Sequence, residues 1–186
     1  MDLPDVAIVT IGVAGDKVVG RTVIQKLIYF GTVLHLTNAK YRPHYYGPYS
    51  SEVAGTLQEL TGLGFVDEQV ETKETTGYTV SDEWKRYCYR LTEDGQSFLN
   101  TVKEECPEDF LNLSQLIDKC KNKSKLNPQI LSWAAKVHYI ASNDEEKTIG
   151  FDEIKSRAES LKWNLNNGQI DKAIDLLEDL KLVKKI

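Results

Sequence analysis

The stretch that decides the fold begins with GRTVIQKLIYF at residues 20–30, continues through YYGPYS at 45–50 and ends with YRLTEDG at 89–95. Apolar side chains recur at helical spacing from Val23 to Leu34. This spacing predicts a helix over residues 22–36. The glycine and proline of YYGPYS interrupt the pattern and predict an aromatic turn directly after the helix.

The residues after the turn predict a further helix and a hairpin. Residues 50–63 have one apolar face, which is typical of a helix. Residues 65–70 and 84–91 have the composition of two strands, and the polar residues 72–83 between them form the expected hairpin tip. Helix, turn, helix and hairpin in this order are typical of a winged helix, a fold that presents one helix and a hairpin to a partner, most often DNA.

The C-terminal part predicts three short helices. Apolar residues recur at helical spacing over 128–141, 151–163 and 169–180. A helix-turn-helix-like module and a small helical bundle packed on the first domain both fit this pattern. Residues 182–183 predict a short final strand.

The expected fold class is therefore α+β and mainly helical, with an N-terminal winged helix-turn-helix and a C-terminal helix-turn-helix-like module. The expected domains are a winged-helix domain at 1–105, a linking helix and basic linker at 106–126, and a helical domain at 127–186. Within the linking region, residues 108–118 predict a helix and the lysine-rich residues 119–125 a solvated linker.

The QKLIYF helix and the YGPYS turn resemble the Panacea-type, antitoxin-like family and its uncharacterised bacterial and archaeal winged-helix relatives, which share a QKLxYF-like helix and a YGP turn. The resemblance covers about residues 6–103. It implies a non-enzymatic regulatory or antitoxin-like role.

Composition argues against several functional classes. The net charge is −5, and a dedicated nucleic-acid binder usually has a basic surplus. The three cysteines form no CxxC pair, and the histidines lack metal-ligand spacing, so we expect no metal, cofactor or disulfide framework. The N-terminus has no basic signal region and no apolar run approaches the ~20 residues of a membrane span, so we expect a cytoplasmic protein without membrane contact.

One hypothesis is a DNA-binding transcriptional regulator that acts as a homodimer. Basic residues around the second helix and the hairpin would contact phosphates, and polar residues of the third helix would lie near base edges. The nucleic-acid candidates are Arg21, Lys26, Arg42, Ser51, Thr56, Gln58, Lys73, Lys85 and Arg86.

The other hypothesis is a protein-binding winged helix, such as an antitoxin-like or adaptor module. The third helix has no lysine or arginine but contains Glu52 and Glu59, which suits a protein partner better than DNA. Tyr45, Tyr46 and Tyr49 would either anchor a partner or, as we favour, pack the turn against the preceding helix, with Tyr49 the most exposed. No nucleophile–base pair, phosphate loop or metal cluster is evident, so we expect no enzyme activity.

Overall fold

The computed structural model describes residues 1–73, 84–142 and 150–183. The helices in these ranges are α1 (Leu3–Ala14), α2 (Arg21–Val33), α3 (Ser51–Gly62), α4 (Glu93–Glu105), α5 (Pro107–Ser124), α6 (Pro128–Ser142), α7 (Phe151–Ser160) and α8 (Asn167–Asp179). The strands are β1 (Val18–Val19), β2 (Val66–Lys73) and β3 (Trp84–Leu91). The architecture is α+β and mainly helical, as the sequence predicts.

The three strands form one antiparallel sheet in the order β1-β3-β2. Val66 pairs with Leu91 at one end of the hairpin, and Lys73 pairs with Trp84 at the other. Val18 of β1 pairs with Tyr89 on the opposite edge of β3. Strand β2 is longer than the sequence indicates, and the remainder of the expected hairpin tip, residues 74–83, lies outside the described residues.

One hydrophobic cluster connects the N-terminal and C-terminal parts of the chain. Helix α1 is its central element, since Val6 and Ile11 are fully buried. Helix α2 packs on α1 and on α6, and Trp163, after α7, is 1% exposed. The segments 1–105 and 127–186 therefore share a core, while their division into separate domains stays a prediction.

The structure corrects three details of the sequence interpretation. The lysine-rich residues 119–124 continue α5, because Cys120 and Ser124 face the core and make this stretch an amphipathic helix rather than a linker. Residues 182–183 form a bend and not a strand. The three predicted C-terminal helices are all present. The starts of α6 and α7 are as predicted, and the other boundaries differ by one to three residues.

Side-chain caps account for several helix starts. Ser50 accepts a hydrogen bond from the backbone N–H of Val53 and so begins α3, and Thr92 does the same for Gly95 in α4. Across the described part of the chain, no helix is long and apolar enough to cross a membrane.

Candidate interaction surface

The chain between α2 and α3 forms a rigidly held loop, residues 42–50, which we call the tyrosine turn. Its two ends meet through a backbone bridge between Arg42 and Tyr49, with N–O distances of 3.0 and 2.9 Å. Outside the three-stranded sheet, this bridge is the only β pairing of the turn in the described residues. The turn then leads directly into the capping residue Ser50.

Helix α2 holds one side of the tyrosine turn. Gln25 is buried and forms two hydrogen bonds with the backbone of Ser50, donating to its carbonyl at 2.9 Å and accepting from its N–H at 3.1 Å. The ammonium of Lys26 donates to the Pro48 carbonyl at 2.6 Å. Through these contacts Gln25 and Lys26 hold the turn against α2.

The C-terminal half holds the other side. Ser132 of α6 donates to the carbonyl of Tyr46 at 2.6 Å, and the indole N–H of Trp163 donates to the carbonyl of His44 at 2.7 Å. Gly47 is buried at φ 95°, and a Cβ there would lie 3.1 Å from Cγ of Lys136. A side chain at this position would therefore be strained and crowded.

Sequence reasoning did not identify Ser132, Lys136 and Trp163 as neighbours of the tyrosine turn. Their contacts with the turn join residues 86 to 119 positions apart along the chain. Nothing in the local pattern around them indicates the turn, since a single sequence carries no signal for contacts of this separation.

The fixed backbone leaves two tyrosines in solvent. Tyr45 is 73% exposed and Tyr46 is 56% exposed, and their rings form an edge-to-face pair with centroids 4.9 Å apart. Tyr49 is only partly exposed and lies 5.2 Å from the ring of His44. Our expectation that Tyr49 is the most exposed of the three is thus wrong, as is packing of Tyr45 and Tyr46 against α2.

Lys26 lies inside the protein. It is 2% exposed, and burial, together with the nearby charge of Lys136, lowers its pKa to about 7. A buried ammonium bonded to a backbone carbonyl does not reach a phosphate on the surface. The structure therefore places this nucleic-acid candidate in the support of the tyrosine turn.

Arg21 connects α2 to the sheet. Its guanidinium donates to the Tyr89 hydroxyl at 2.6 Å and to both carboxylate oxygens of Glu68, at 3.1 and 3.0 Å. It also lies 3.8 Å from the centre of the Tyr87 ring, and Tyr89 donates to Glu68 in turn. Nη2 thus bonds both carboxylate oxygens while the guanidinium stacks on a ring, and the side chain stays 45% exposed.

Other basic residues near the sheet are paired with acids as well. Lys17 lies 2.9 Å from Glu71, and Arg90 lies 3.9 Å from Asp67. Charge on this side of the molecule is therefore largely neutralised within the described residues.

The remaining nucleic-acid candidates are distributed over α3, the turn and β3. Ser51 and Gln58 are exposed and Thr56 is partly buried, and they share α3 with the exposed Glu52 and Glu59. Arg42 and Arg86 are exposed, on the turn and on β3. Lys73 is the last residue of β2 and Lys85 is the second residue of β3, but their side chains lie outside the described residues.

The described part of the chain contains no group of three or more His, Cys, Asp or Glu side chains that could hold a metal ion. Cys88, Cys106 and Cys120 are free thiols.

Comparison with known proteins identifies a relative along nearly the whole chain. No family model matches the sequence. The chain is 31% identical over 168 residues to the uncharacterised protein YwgA of Bacillus subtilis (strain 168), and the match spans 90% of each chain. The protein belongs to the same family as YwgA.

Proposed function

We propose that this member of the YwgA family is a non-enzymatic regulatory or adaptor protein that binds another protein through its tyrosine turn. The observation that carries the proposal is the exposed pair Tyr45–Tyr46 on a backbone that is fixed from two sides. The partner we infer is a different protein with an apolar pocket for the two rings.

A winged helix is the fold that we propose for the N-terminal part. Its support is the element order α1-β1-α2-α3-β2-β3 and the strand order β1-β3-β2, in which the first strand lies on the hairpin edge. In such a fold α3 and the hairpin form the usual docking surface. The tyrosine turn directly precedes α3, so both can contact one partner.

Two adjacent exposed tyrosines suit a protein interface. Tyrosine is enriched at the centres of protein interfaces because its ring buries a large area while its hydroxyl keeps a polar contact. Both rings lie on a turn that Gln25, Lys26, Ser132 and Trp163 hold by hydrogen bonds. A preformed turn loses little conformational entropy on binding, which favours affinity.

The charges of the described surface favour protein over duplex DNA. The exposed face of α3 carries Glu52 and Glu59, which DNA phosphates would repel. Two of the predicted phosphate contacts, Arg21 and Lys26, are engaged by internal partners. The resemblance to the Panacea-type family supports the regulatory or antitoxin-like part of the proposal.

DNA binding is the second candidate function. Its support is the exposed pair Arg42 and Arg86, together with the proposed winged helix. In that case the protein would act as a homodimeric transcriptional regulator, and affinity would fall steeply as salt rises. Under either function we propose a cytoplasmic location.

Affinity capture tests the first candidate. The full-length protein, a Tyr45→Ser/Tyr46→Ser variant and a Leu111→Ser control are used as bait in lysate from the native source. Leu111 lies on α5 and is 54% exposed, so the control removes a comparable apolar side chain elsewhere. We expect the wild type and the control to retain the same partner, and the double variant to lose it by about tenfold or more. Equal recovery by all three baits overturns the proposal.

Fluorescence anisotropy with random duplex DNA at low and moderate salt separates the two candidates. The protein-binding proposal predicts no binding at moderate salt. Binding that disappears in an Arg42→Gln/Arg86→Gln variant would favour the DNA-binding function instead.

A further inference from the structure

A cavity of about 400 Å³ lies where the ends of α1 and α5 meet β1. Its volume falls within the ~300–1,000 Å³ of typical small-molecule sites. The cavity is separate from the tyrosine turn, since no residue of the turn lines it. The lining residues are Ala14, Lys17, Val18, Val19, Val23, Lys121, Lys125 and Leu126.

The lining combines an apolar surface with three lysines and contains no carboxylate. Lys17 lies 2.9 Å from Glu71 and is partly neutralised. Lys121 and Lys125 are exposed and form no ion pair with any residue that the structure describes. Two cations thus remain available beside the apolar lining.

The C-termini of two helices offset part of the positive charge of these lysines. α1 ends at Ala14 and α5 at Ser124, and each C-terminus contributes about half a negative charge. Of the residues that line the cavity, three are lysines and none is acidic, and within the described residues only Lys17 is paired with a carboxylate. The lining therefore suits an anion.

The end of α5 places two of the lining residues. Lys125 and Leu126 are consecutive non-glycine residues with φ of 52° and 53°. The left-handed conformation of Lys125 ends α5, and its N–H donates to the Lys121 carbonyl at 2.9 Å. Both residues line the cavity, one as a cation and the other as an apolar group.

We propose that this cavity binds a small amphipathic anion, a carboxylate or phosphate monoester with a short apolar chain. Lys121 and Lys125 hold the anionic group, and the chain lies against Val18, Val19 and Leu126. The site is independent of the partner surface at the tyrosine turn and gives the protein a place to bind a small effector.

Titration of the full-length protein followed by NMR chemical shifts tests the proposal. The probes are octanoate and octyl phosphate, and the controls are octan-1-ol, which has the chain alone, and inorganic phosphate, which has the charge alone. We expect at least one amphipathic anion to bind about tenfold more tightly than either control, with shifts at the Val18 and Val19 amides. The anion that binds more tightly identifies the headgroup. Failure of both anions to bind at millimolar concentration, or equal binding of octan-1-ol, overturns the proposal.

Variants assign the binding to the two lysines. Lys121→Gln/Lys125→Asn removes both charges, and asparagine tolerates the left-handed backbone at 125. Lys123→Gln is the matched control on the same helix, because Lys123 lies 2.9 Å from Asp175 and does not line the cavity. We expect the double variant to lose affinity by about tenfold and the control to keep it.

Unchanged affinity in the double variant contradicts the assignment. Thermal unfolding verifies that each variant is folded. If the double variant does not fold, Lys121→Gln alone replaces it. The single variant must then lose affinity for the anions while its weak binding of octan-1-ol is unchanged.

Discussion

The ammonium nitrogen of Lys26 lies 2.6 Å from the carbonyl oxygen of Pro48 and donates a hydrogen bond to it. The lysine is 2% exposed, so this charge-bearing group supports the tyrosine turn from inside the protein. Ser132 holds the turn from the opposite side. The two tyrosines are therefore positioned before any partner binds.

Burial of Lys26 predicts a stability that rises at alkaline pH. Its pKa is lowered from 10.5 to about 7 by burial and by the charge of Lys136, so between these values the unfolded state binds more protons than the folded state. The free energy of unfolding should rise through this range by at most about 1.4 kcal/mol per pH unit. Below pH 7 both states are protonated and the contribution is constant.

Urea unfolding of the wild type and of Lys26→Met over the same pH range measures this effect. We expect the free energy of unfolding of the wild type to rise relative to that of Lys26→Met as pH rises. Lys172→Met, at an exposed position on α8, serves as the control and should show no such trend. A pH-independent difference for Lys26→Met would contradict the assignment.

His138 predicts a loss of stability at acidic pH. It is buried, its Nδ1 lies 2.8 Å from the Tyr29 hydroxyl, and burial lowers its pKa from 6.5 to about 4. Burial raises the pKa of Tyr29, so the hydroxyl keeps its proton and donates to the neutral ring. As pH falls from 6.5 to 4 the unfolded state gains a proton first, which removes about 3 kcal/mol of stability.

In thermal unfolding, the stability of His138→Gln should therefore decrease less between pH 6.5 and pH 4 than the stability of the wild type. The control is His35→Asn, because His35 is exposed and asparagine suits its φ of 60°. If His138→Gln loses as much stability at acidic pH as the wild type, this histidine does not cause the loss.

Two glycine-to-alanine changes should have opposite effects. Gly47→Ala places a Cβ 3.1 Å from Lys136 at a φ of 95°, so we expect a loss of about 1–3 kcal/mol. Gly55 lies in α3 with nothing within 4 Å of a Cβ, so Gly55→Ala should gain about 0.5–1 kcal/mol. Urea unfolding measures both effects. If Gly47→Ala leaves the free energy of unfolding unchanged, the backbone of the turn is not rigidly held.

Arg21 is predicted to act on stability. Its hydrogen bonds to Tyr89 and Glu68 join α2 to the sheet, so Arg21→Met should lower the free energy of unfolding by about 1–3 kcal/mol. Arg86→Met, at an exposed position on β3, should change it by about 0.5 kcal/mol or less. Equal effects of the two substitutions in urea unfolding would contradict the structural role of Arg21.

The sequence predicts the elements well where one face is apolar and a capping residue precedes the helix. Helix α3, with Ser50 before it and Val53 and Leu57 inside, is an example. The sequence does not predict the lysine-rich end of α5, because its two buried side chains, Cys120 and Ser124, are separated by charged residues and one of them is polar.

The surroundings of the tyrosine turn were only half predictable. The sequence places Gln25 and Lys26 in the helix that precedes the turn, but it assigns Lys26 to a phosphate contact and not to the support of the turn. Trp163 and Ser132 reach the turn through tertiary packing alone. Exposure of Tyr45 and Tyr46 follows from that packing and is not encoded in their spacing.

Contact between the tyrosine turn and a protein partner can be detected by photo-crosslinking in cells of the native source. The photoreactive residue p-benzoylphenylalanine is placed at position 45 and, as a control, at position 111. Both positions are exposed, at 73% and 54% in the natural protein. We expect one discrete adduct with another protein from position 45 and none of this adduct from position 111. If position 45 gives no adduct, or if both positions give the same adducts, the tyrosine turn is not the partner-binding surface.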